Sequence, residues 1–161
     1  MAKSHEYKSR LTWTGNLGAG TASYADYGRD YTVTIDGKPD IHGSADPMFR
    51  GDAGLPNPED LFVAAISSCH LLSYLALCAR KGISVVAYED NASGTLVFTA
   101  DGGGSFEEVL LRPEVTIAEA EHEAAALALH EEAHRVCYIA SSCSTPIHHA
   151  AVVRIAPRGG A

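Results

Sequence analysis

The longest uninterrupted apolar stretch of the chain lies between Asn57 and Gly82, with the sequence NPEDLFVAAISSCHLLSYLALCARKG. Its positions 61–79 contain no Asp, Glu, Lys or Arg, and large apolar residues fall on every face of a helix with about 3.6 residues per turn. Asn57 is a preferred helix cap, Pro58 suits the first helical position, and Gly82 is typical of a helix end. The pattern predicts one long helix over residues 57–81, apolar on all sides and buried in the core.

Shorter runs of alternating or β-branched residues flank this helix and predict strands. The predicted strands are 6–13, 21–24, 31–35, 41–44, 83–89, 93–100, 106–117 and 147–155. The first two would form a hairpin, and Pro113 requires an edge, a bulge or a break. An Ala- and Glu-rich stretch, 119–136, predicts a second helix. This order of elements is that of an α+β fold with antiparallel sheets packed on helices.

Composition and charge narrow the class of protein. The chain has 161 residues and a formal net charge of −8, so we expect one domain over 1–161: N-terminal strands in 1–45, the central helix in 57–81, and strands with the second helix in 83–156. No basic patch rich in aromatic residues is present, which argues against nucleic acid and membrane as partners. The N-terminal sequence has no apolar run, so we expect no signal peptide and a cytoplasmic protein.

Four cysteines, at positions 69, 78, 137 and 143, are the candidates for chemistry, because cytoplasmic thiols are kept reduced. Cys69 lies in the middle of the predicted long helix, where burial alone would raise its pKa. A reactive Cys69 therefore needs a partner from elsewhere. The candidates are Arg50 in the loop before the helix, Glu59 in its first turn, and Cys137 at the end of the second helix. The alternative interpretation of Cys69 is an inert, packed thiol.

Two segments resemble a known family. FRGDAGLPNPEDLFVAAISSCH and RVCYIASS are similar to the OsmC/Ohr family of thiol-dependent hydroperoxide reductases. The resemblance implies an OsmC-like fold, an intertwined homodimer with two sites, and a dithiol reductant such as a lipoyl protein. It implies that Cys69 is the peroxidatic cysteine, that Cys137 resolves it, and that Arg50 and Glu59 support the thiolate. It implies no metal, haem or other cofactor.

The chemistry of these residue types is consistent with the implied roles. A thiolate attacks a peroxide oxygen, so a guanidinium near Cys69 would lower its pKa and hold the peroxide. Glu59 could fix that guanidinium by a bidentate pair. The resulting sulfenic acid would condense with Cys137 to a disulfide. The apolar helix favours alkyl or fatty-acid hydroperoxides as substrates, because these gain by burying hydrocarbon.

Several assignments remain open at this stage. Arg29 competes with Arg50 as the supporting cation, although Arg50 is favoured. Cys143 is an alternative or second resolving thiol, whereas Cys78 is expected to be a packed core thiol. His70 is expected to be a core histidine and receives no role.

A second motif indicates a different chemistry. Residues 130–134 read HEEAH, the pattern in which two histidines one helical turn apart bind zinc and the glutamate activates water. No Asp or Glu occurs after Glu132, so a downstream carboxylate ligand is lacking. We therefore favour a solvated helix face over a zinc hydrolase. A third alternative is a dimeric protein that binds an apolar ligand and whose cysteines are idle.

Overall fold

A computed structural model describes residues 4–157 of the chain. The chain divides into two compact units, residues 1–61 and residues 62–161. The prediction of a single domain stays a prediction.

The secondary-structure elements are β1 (Arg10–Trp13), β2 (Tyr31–Thr34), β3 (Ile41–Gly43), α1 (Pro58–Arg80), β4 (Val85–Asp90), β5 (Ser93–Phe98), β6 (Gly104–Leu111), β7 (Pro113–Ile117), α2 (Glu123–Val136), β8 (Ile147–His149) and β9 (Val152–Ile155).

The first unit contains an antiparallel sheet in the order β1-β2-β3. The predicted hairpin between 6–13 and 21–24 is wrong, because β1 pairs with β2 instead. Residues 14–30 form a loop that is held by hydrogen bonds between its own residues. The side-chain oxygen of Asn16 accepts from two glycine N–H groups of this loop. The Trp13 indole N–H donates to the carbonyl of Gly28 at 2.9 Å, so the loop returns to the end of β1.

Local capping defines the start of α1. The Asp60 N–H donates to the side-chain oxygen of Asn57 at 2.8 Å, and the Asn57 N–H donates to the Asp60 carboxylate at 3.1 Å. Gly82, with a φ of 71°, follows the last turn. The predicted long helix is therefore confirmed, and it runs without a break from Pro58 to Arg80.

The prediction that α1 is buried on every side is wrong for the single chain. Residues at four-residue intervals remain exposed along one face, and Leu72 keeps 66% of its surface exposed. We call this face the α1 stripe; it consists of Ala64, Ser68, Leu72 and Ala76. Among residues 4–157, α1 is the one helix long and apolar enough to span a membrane by length and composition alone. A different face packs within the protein, and its buried residues are Ile66, His70, Tyr74, Leu77 and Cys78.

The second unit contains two three-stranded sheets, β4-β7-β9 and β5-β6-β8. The strand predicted over 106–117 breaks at Arg112, immediately before Pro113. A break is one of the three features expected at this proline. The strand predicted over 147–155 also divides, and its halves β8 and β9 join different sheets. The Asp90 carboxylate accepts from the Arg112 N–H at 2.7 Å and from the Ser67 hydroxyl of α1 at 2.5 Å. The Asp90 carboxylate therefore links the break between β6 and β7 to α1.

The α+β class is confirmed, but the sheets are mixed rather than antiparallel throughout. β8 runs parallel to β6, and β9 runs parallel to β7, because the chain crosses over through α2 before it returns to the sheets. Helix α2 is shorter than the predicted 119–136, since a 3₁₀ turn at Ala120–His122 precedes it.

Two apolar clusters form the core of the second unit. One joins α1, β7 and α2 around Tyr74, Leu77, Ile117 and Leu129. The other joins α1 to β6 through Ile66, Val109 and Leu111. Both clusters include residues of α1, so this helix connects the two parts of the core of the second unit.

Candidate active site

Two cysteines that are far apart in sequence meet in the second unit. Cys69 lies at mid-length in α1 and is half-buried, whereas Cys137 caps the C-terminus of α2 and is 1% exposed. Cys69 is among the groups that raise the pKa of the Cys137 thiol, so the two thiols are neighbours. The structure therefore brings together the two thiols that the sequence had placed on separate helices, and both are reduced.

Burial controls the chemistry of the second thiol. The pKa of Cys137 is raised to about 11, mainly by burial and in smaller part by the neighbouring Cys69. Backbone groups of Ile139 and Ala140 oppose this shift by hydrogen bonding to the sulfur. Cys137 is therefore a protonated thiol at neutral pH, and it must give up its proton when it attacks another sulfur.

Cys69 opens into a cavity of about 720 Å³ between α1 and the C-terminal half of α2. The lining residues are Cys69, Leu72, Ser73, Ala76, Leu77 and Arg80 of α1, Glu132, Arg135 and Val136 of α2, and Tyr138 and Ser141 beyond it. Most of these side chains are apolar or small. The cavity gives an apolar molecule access to Cys69 while Cys137 stays behind it.

The predicted supporting pair, Arg50 and Glu59, belongs to the first unit. Arg50 is exposed at the end of a 3₁₀ turn, with the left-handed φ of 67°. Within residues 4–157 its guanidinium has no hydrogen bond or ion pair, so the expected Arg50–Glu59 pair is not formed. Glu59 instead lies near Tyr31, whose pKa is raised by burial and further by Glu59 and Asp60. The roles of Arg50 and Glu59 stay predictions.

The competing cation, Arg29, is engaged in its own loop. Its guanidinium donates to the carbonyl oxygens of Tyr24, at 2.6 Å, and Tyr27. It also lies over both tyrosine rings, at 4.4 and 3.9 Å from their centroids. These contacts hold Arg29 within its own loop, and the choice between Arg50 and Arg29 stays a prediction.

The other two cysteines occupy different surroundings. Cys78 is buried in the core formed by α1, β7 and α2, where burial raises the pKa of its thiol. This confirms the expected packed thiol. Cys143 is half-buried after α2 and lies near the carbonyl oxygen of Ala140, with a sulfur–oxygen distance of 3.6 Å. Its role as a second resolving thiol stays a prediction.

A group of four histidine rings, which the sequence reasoning missed, lies between α1, α2 and β8. We call His70, His130, His134 and His149 the histidine cluster. The Nε2 atom of His70 and the Nδ1 atom of His130 share a hydrogen bond of 3.0 Å, and both residues are fully buried. Burial lowers the pKa of His70 to about 4 and that of His130 to about 3. The core pair is therefore neutral at physiological pH.

The cluster corrects the interpretation of HEEAH as a solvated face. His130 is 0% exposed, and its ring stacks on Tyr74 with centroids 4.0 Å apart. Glu131 faces outward and pairs with His149 at 3.3 Å. In the part of the chain that the structure describes, no three His, Cys, Asp or Glu side chains are grouped to hold a metal ion. This arrangement gives the zinc hydrolase alternative no support.

The structure is that of an α+β protein in which two neighbouring free thiols lie beside a mostly apolar cavity. The chain matches the family described as OsmC-like protein over residues 51–150. It belongs to this family.

Solved structures agree with the family. An OsmC-like protein of unknown function from Vibrio cholerae O1 biovar eltor is 30% identical, with a TM-score of 0.83 over 92% of this chain and 100% of that chain. An organic hydroperoxide resistance protein from Elizabethkingia anophelis is 19% identical, with a TM-score of 0.67 over 97% and 100%. One from Legionella pneumophila is 18% identical, with a TM-score of 0.64 over 94% and 98%. These last two show the fold alone. No curated protein matches the chain.

Proposed function

We propose that this protein is a thiol-dependent peroxidase that reduces organic hydroperoxides to alcohols. The observation that carries the proposal is the Cys69–Cys137 pair, in which one thiol lines an apolar cavity and the other is buried directly behind it. The family includes proteins named for organic hydroperoxide resistance, which supports a peroxidase-like role.

The proposed reaction has two steps. In the first step, the Cys69 sulfur attacks the hydroperoxide, the O–O bond breaks, and one oxygen stays on sulfur as a sulfenic acid while the alcohol leaves with a proton. In the second step, Cys137 attacks the Cys69 sulfur, an S–S bond forms, and water leaves with the thiol proton. An external dithiol, such as a lipoyl protein, then reduces the disulfide by thiol exchange.

Arg50 and Glu59 are proposed to support the Cys69 thiolate of a second chain. Because α1 is continuous, ten residues of helix separate Glu59 from Cys69, which is about 15 Å along the axis. One glutamate side chain does not bridge that distance. The α1 stripe provides an apolar face for pairing two helices about a two-fold axis, as in a homodimer.

Thiol titration tests the proposal. One equivalent of cumene hydroperoxide should remove two of the four thiols per chain, and mass spectrometry should find a Cys69–Cys137 disulfide. Cys143→Ser provides the matched control, since it leaves this pair intact and should lose the same two thiols. An apolar-ligand binding protein would lose none, and a bridge from Cys69 to Cys143 would move the resolving role to Cys143.

A further inference from the structure

A third thiol lies close to the buried member of the Cys69–Cys137 pair. Cys143 directly follows the 3₁₀ turn at Ala140–Ser142, which begins three residues after Cys137. The Cys143 sulfur lies 3.6 Å from the carbonyl oxygen of Ala140, and a backbone hydrogen bond from Ala140 also reaches the sulfur of Cys137. Both sulfurs therefore contact the backbone of one residue, and both thiols are free. Cys137 thus has Cys69 and Cys143 in its surroundings.

The segment between Cys137 and Cys143 can change its conformation without disturbing the core. The 3₁₀ turn contains no buried residue, and Tyr138 before it is 82% exposed. Local hydrogen bonds hold the turn, among them the bond of 2.7 Å from the Ser142 hydroxyl to the Tyr138 carbonyl. Water can replace such bonds at an exposed site, so a rearrangement of this segment uncovers little apolar surface.

A disulfide between Cys69 and Cys137 would be poorly exposed to a large reductant. Cys137 is 1% exposed. Cys69 follows Ser68 of the α1 stripe, which the proposed pairing of two chains would cover. Cys143 is half-buried, lies outside the cavity lining, and is flanked by exposed serines at positions 142 and 144. We therefore expect a protein dithiol to reach Cys143 more easily than the other two thiols.

We propose that Cys143 takes over the oxidation from the Cys69–Cys137 disulfide and presents it to the reductant. The proposal rests on the peroxidase function for the origin of the first disulfide, but the exchange itself needs no peroxide. The Cys143 thiol releases its proton to solvent, and its sulfur attacks the Cys137 sulfur. The Cys69–Cys137 bond breaks as a Cys137–Cys143 bond forms, and Cys69 leaves as a thiolate that takes up one proton.

This thiol relay differs from the use of Cys143 as an alternative resolving thiol. A resolving thiol would bond to Cys69 directly, whereas the relay requires Cys137 to be oxidised first. The contacts favour the relay, because Cys69 is a neighbour of Cys137 and the Cys143 sulfur lies at Ala140. The relay also returns Cys69 to its reduced form before the external dithiol acts. That dithiol then reduces the Cys137–Cys143 bridge by thiol exchange.

The first test follows the bridges over time and uses diamide in place of peroxide. Acid stops the exchange at set times, free thiols are alkylated, and trypsin cleaves after Lys and Arg. Cys69 then lies in peptide 51–80, whereas Cys137 and Cys143 share peptide 136–154. A Cys69–Cys137 bridge links the two peptides, and a Cys137–Cys143 bridge lies within one peptide. The linked peptides should appear first, and the internal bridge should then replace them.

Variants separate the relay from direct oxidation of Cys137 and Cys143. Cys143→Ser should keep the linked peptides as its end product, and Ser144→Ala, the matched control, should behave like the natural protein. Cys69→Ser should form the internal bridge about tenfold more slowly, because the buried Cys137 meets diamide rarely. The relay would be overturned by an internal bridge that forms at the natural rate in Cys69→Ser, or by the lack of that bridge in the natural protein.

The second test compares two reductants of the oxidised protein, free dihydrolipoamide and the same dithiol attached to a lipoyl domain. Cys143→Ser should slow reduction by the domain about tenfold and reduction by the free dithiol less than about twofold, because a small dithiol reaches a buried bridge more easily. Equal effects of Cys143→Ser on both reductants, including no effect on either, would overturn the relay. If cumene hydroperoxide forms no disulfide but diamide starts the same exchange, the peroxidase proposal fails and the relay stands.

Discussion

At the scale of single residues, Cys69 and Cys137 differ in their surroundings although their side chains touch. Cys69 faces a cavity, whereas Cys137 is almost completely excluded from solvent and its pKa is raised to about 11. A buried, protonated thiol is poorly placed to meet a peroxide first. This difference supports the assignment of the first oxidation to Cys69.

Substitution of Cys137 should separate the two steps of the reaction. We expect Cys137→Ser to reduce one equivalent of organic hydroperoxide and then to stop, because the Cys69 sulfenic acid has no thiol to condense with. Mass spectrometry should then find sulfinic and sulfonic acid at Cys69. Cys69→Ser should show no reduction at all. Sustained turnover of Cys137→Ser would contradict the resolving role of this residue.

Substitution of Arg50 tests the supporting cation. Arg50→Ala should slow the alkylation of Cys69 at neutral pH about tenfold or more, because the thiolate would lose a cation that stabilises it. The free energy of unfolding should change little, since Arg50 is exposed. Arg29→Ala serves for comparison; because Arg29 is bound within its own loop, its loss should mainly destabilise the first unit. An identical pH profile for Arg50→Ala would exclude this role.

At the scale of elements, the sequence predicted best those features that depend on local signals. The bounds of α1 follow from Asn57, Pro58 and Gly82, which act on their own neighbours. The break before Pro113 follows from the missing N–H of proline. The hairpin after β1 was wrong because Asn16 and the glycines close a longer loop, and only the tertiary structure shows which strand then pairs with β1.

The histidine cluster could not be predicted because it depends on how helices pack. His70 and His130 are sixty residues apart in sequence and meet only because α1 and α2 share a core. The polar composition of α2 indicated a solvated face, yet His130 occupies a buried position of that helix. The Cys69–Cys137 contact has the same origin, and only the family resemblance indicated it beforehand.

The cluster makes stability dependent on pH. The folded pKa values of His70 and His130, about 4 and about 3, lie below the usual value of 6.5, so the unfolded chain takes up protons first. Their contribution to stability is complete above pH 6.5 and is lost as pH falls toward 4, on the order of 1–3 kcal/mol for each histidine. Urea denaturation between pH 7.5 and 4.5 should measure this loss.

Variants should locate the effect within the cluster. His130→Phe should flatten the pH dependence of unfolding, whatever it does to stability at neutral pH. His148→Gln is the control, because His148 is exposed on β8, one residue before His149. If His130→Phe keeps the full slope, the acid lability comes from other groups, which include Asp90 and Glu131, two carboxylates that interact with histidines of the cluster.

At the scale of the whole molecule, the α1 stripe is the feature that the single chain leaves unexplained. Its four residues, spaced one helical turn apart, are exposed along one side of α1, and Leu72 is largely exposed. Pairing with a second copy would bury this face and would also supply Arg50 and Glu59 from the partner. A homodimer would therefore account for both the apolar stripe and the length of helix between Glu59 and Cys69.

Complementation tests a site shared between two chains. Cys69→Ser and Glu59→Ala chains should each be inactive as homodimers. After subunit exchange, one site of each mixed dimer combines an intact Cys69 with an intact Glu59, so activity should return to about one quarter of the natural level. Proven exchange without recovery of activity would contradict the shared site, as would a fully active monomer in sedimentation.

The single tryptophan provides an internal probe of folding cooperativity. Trp13 is the one tryptophan of the chain, and its indole packs against Tyr27 and bonds to Gly28, all within residues 1–61. Its fluorescence therefore reports on the first unit, whereas helical circular dichroism reports mainly on α1 and α2. If the chain is one domain, urea should shift both signals with the same midpoint. A fluorescence change at lower urea would mean that the segment carrying Arg50 unfolds on its own while the unit that contains the thiol pair stays folded.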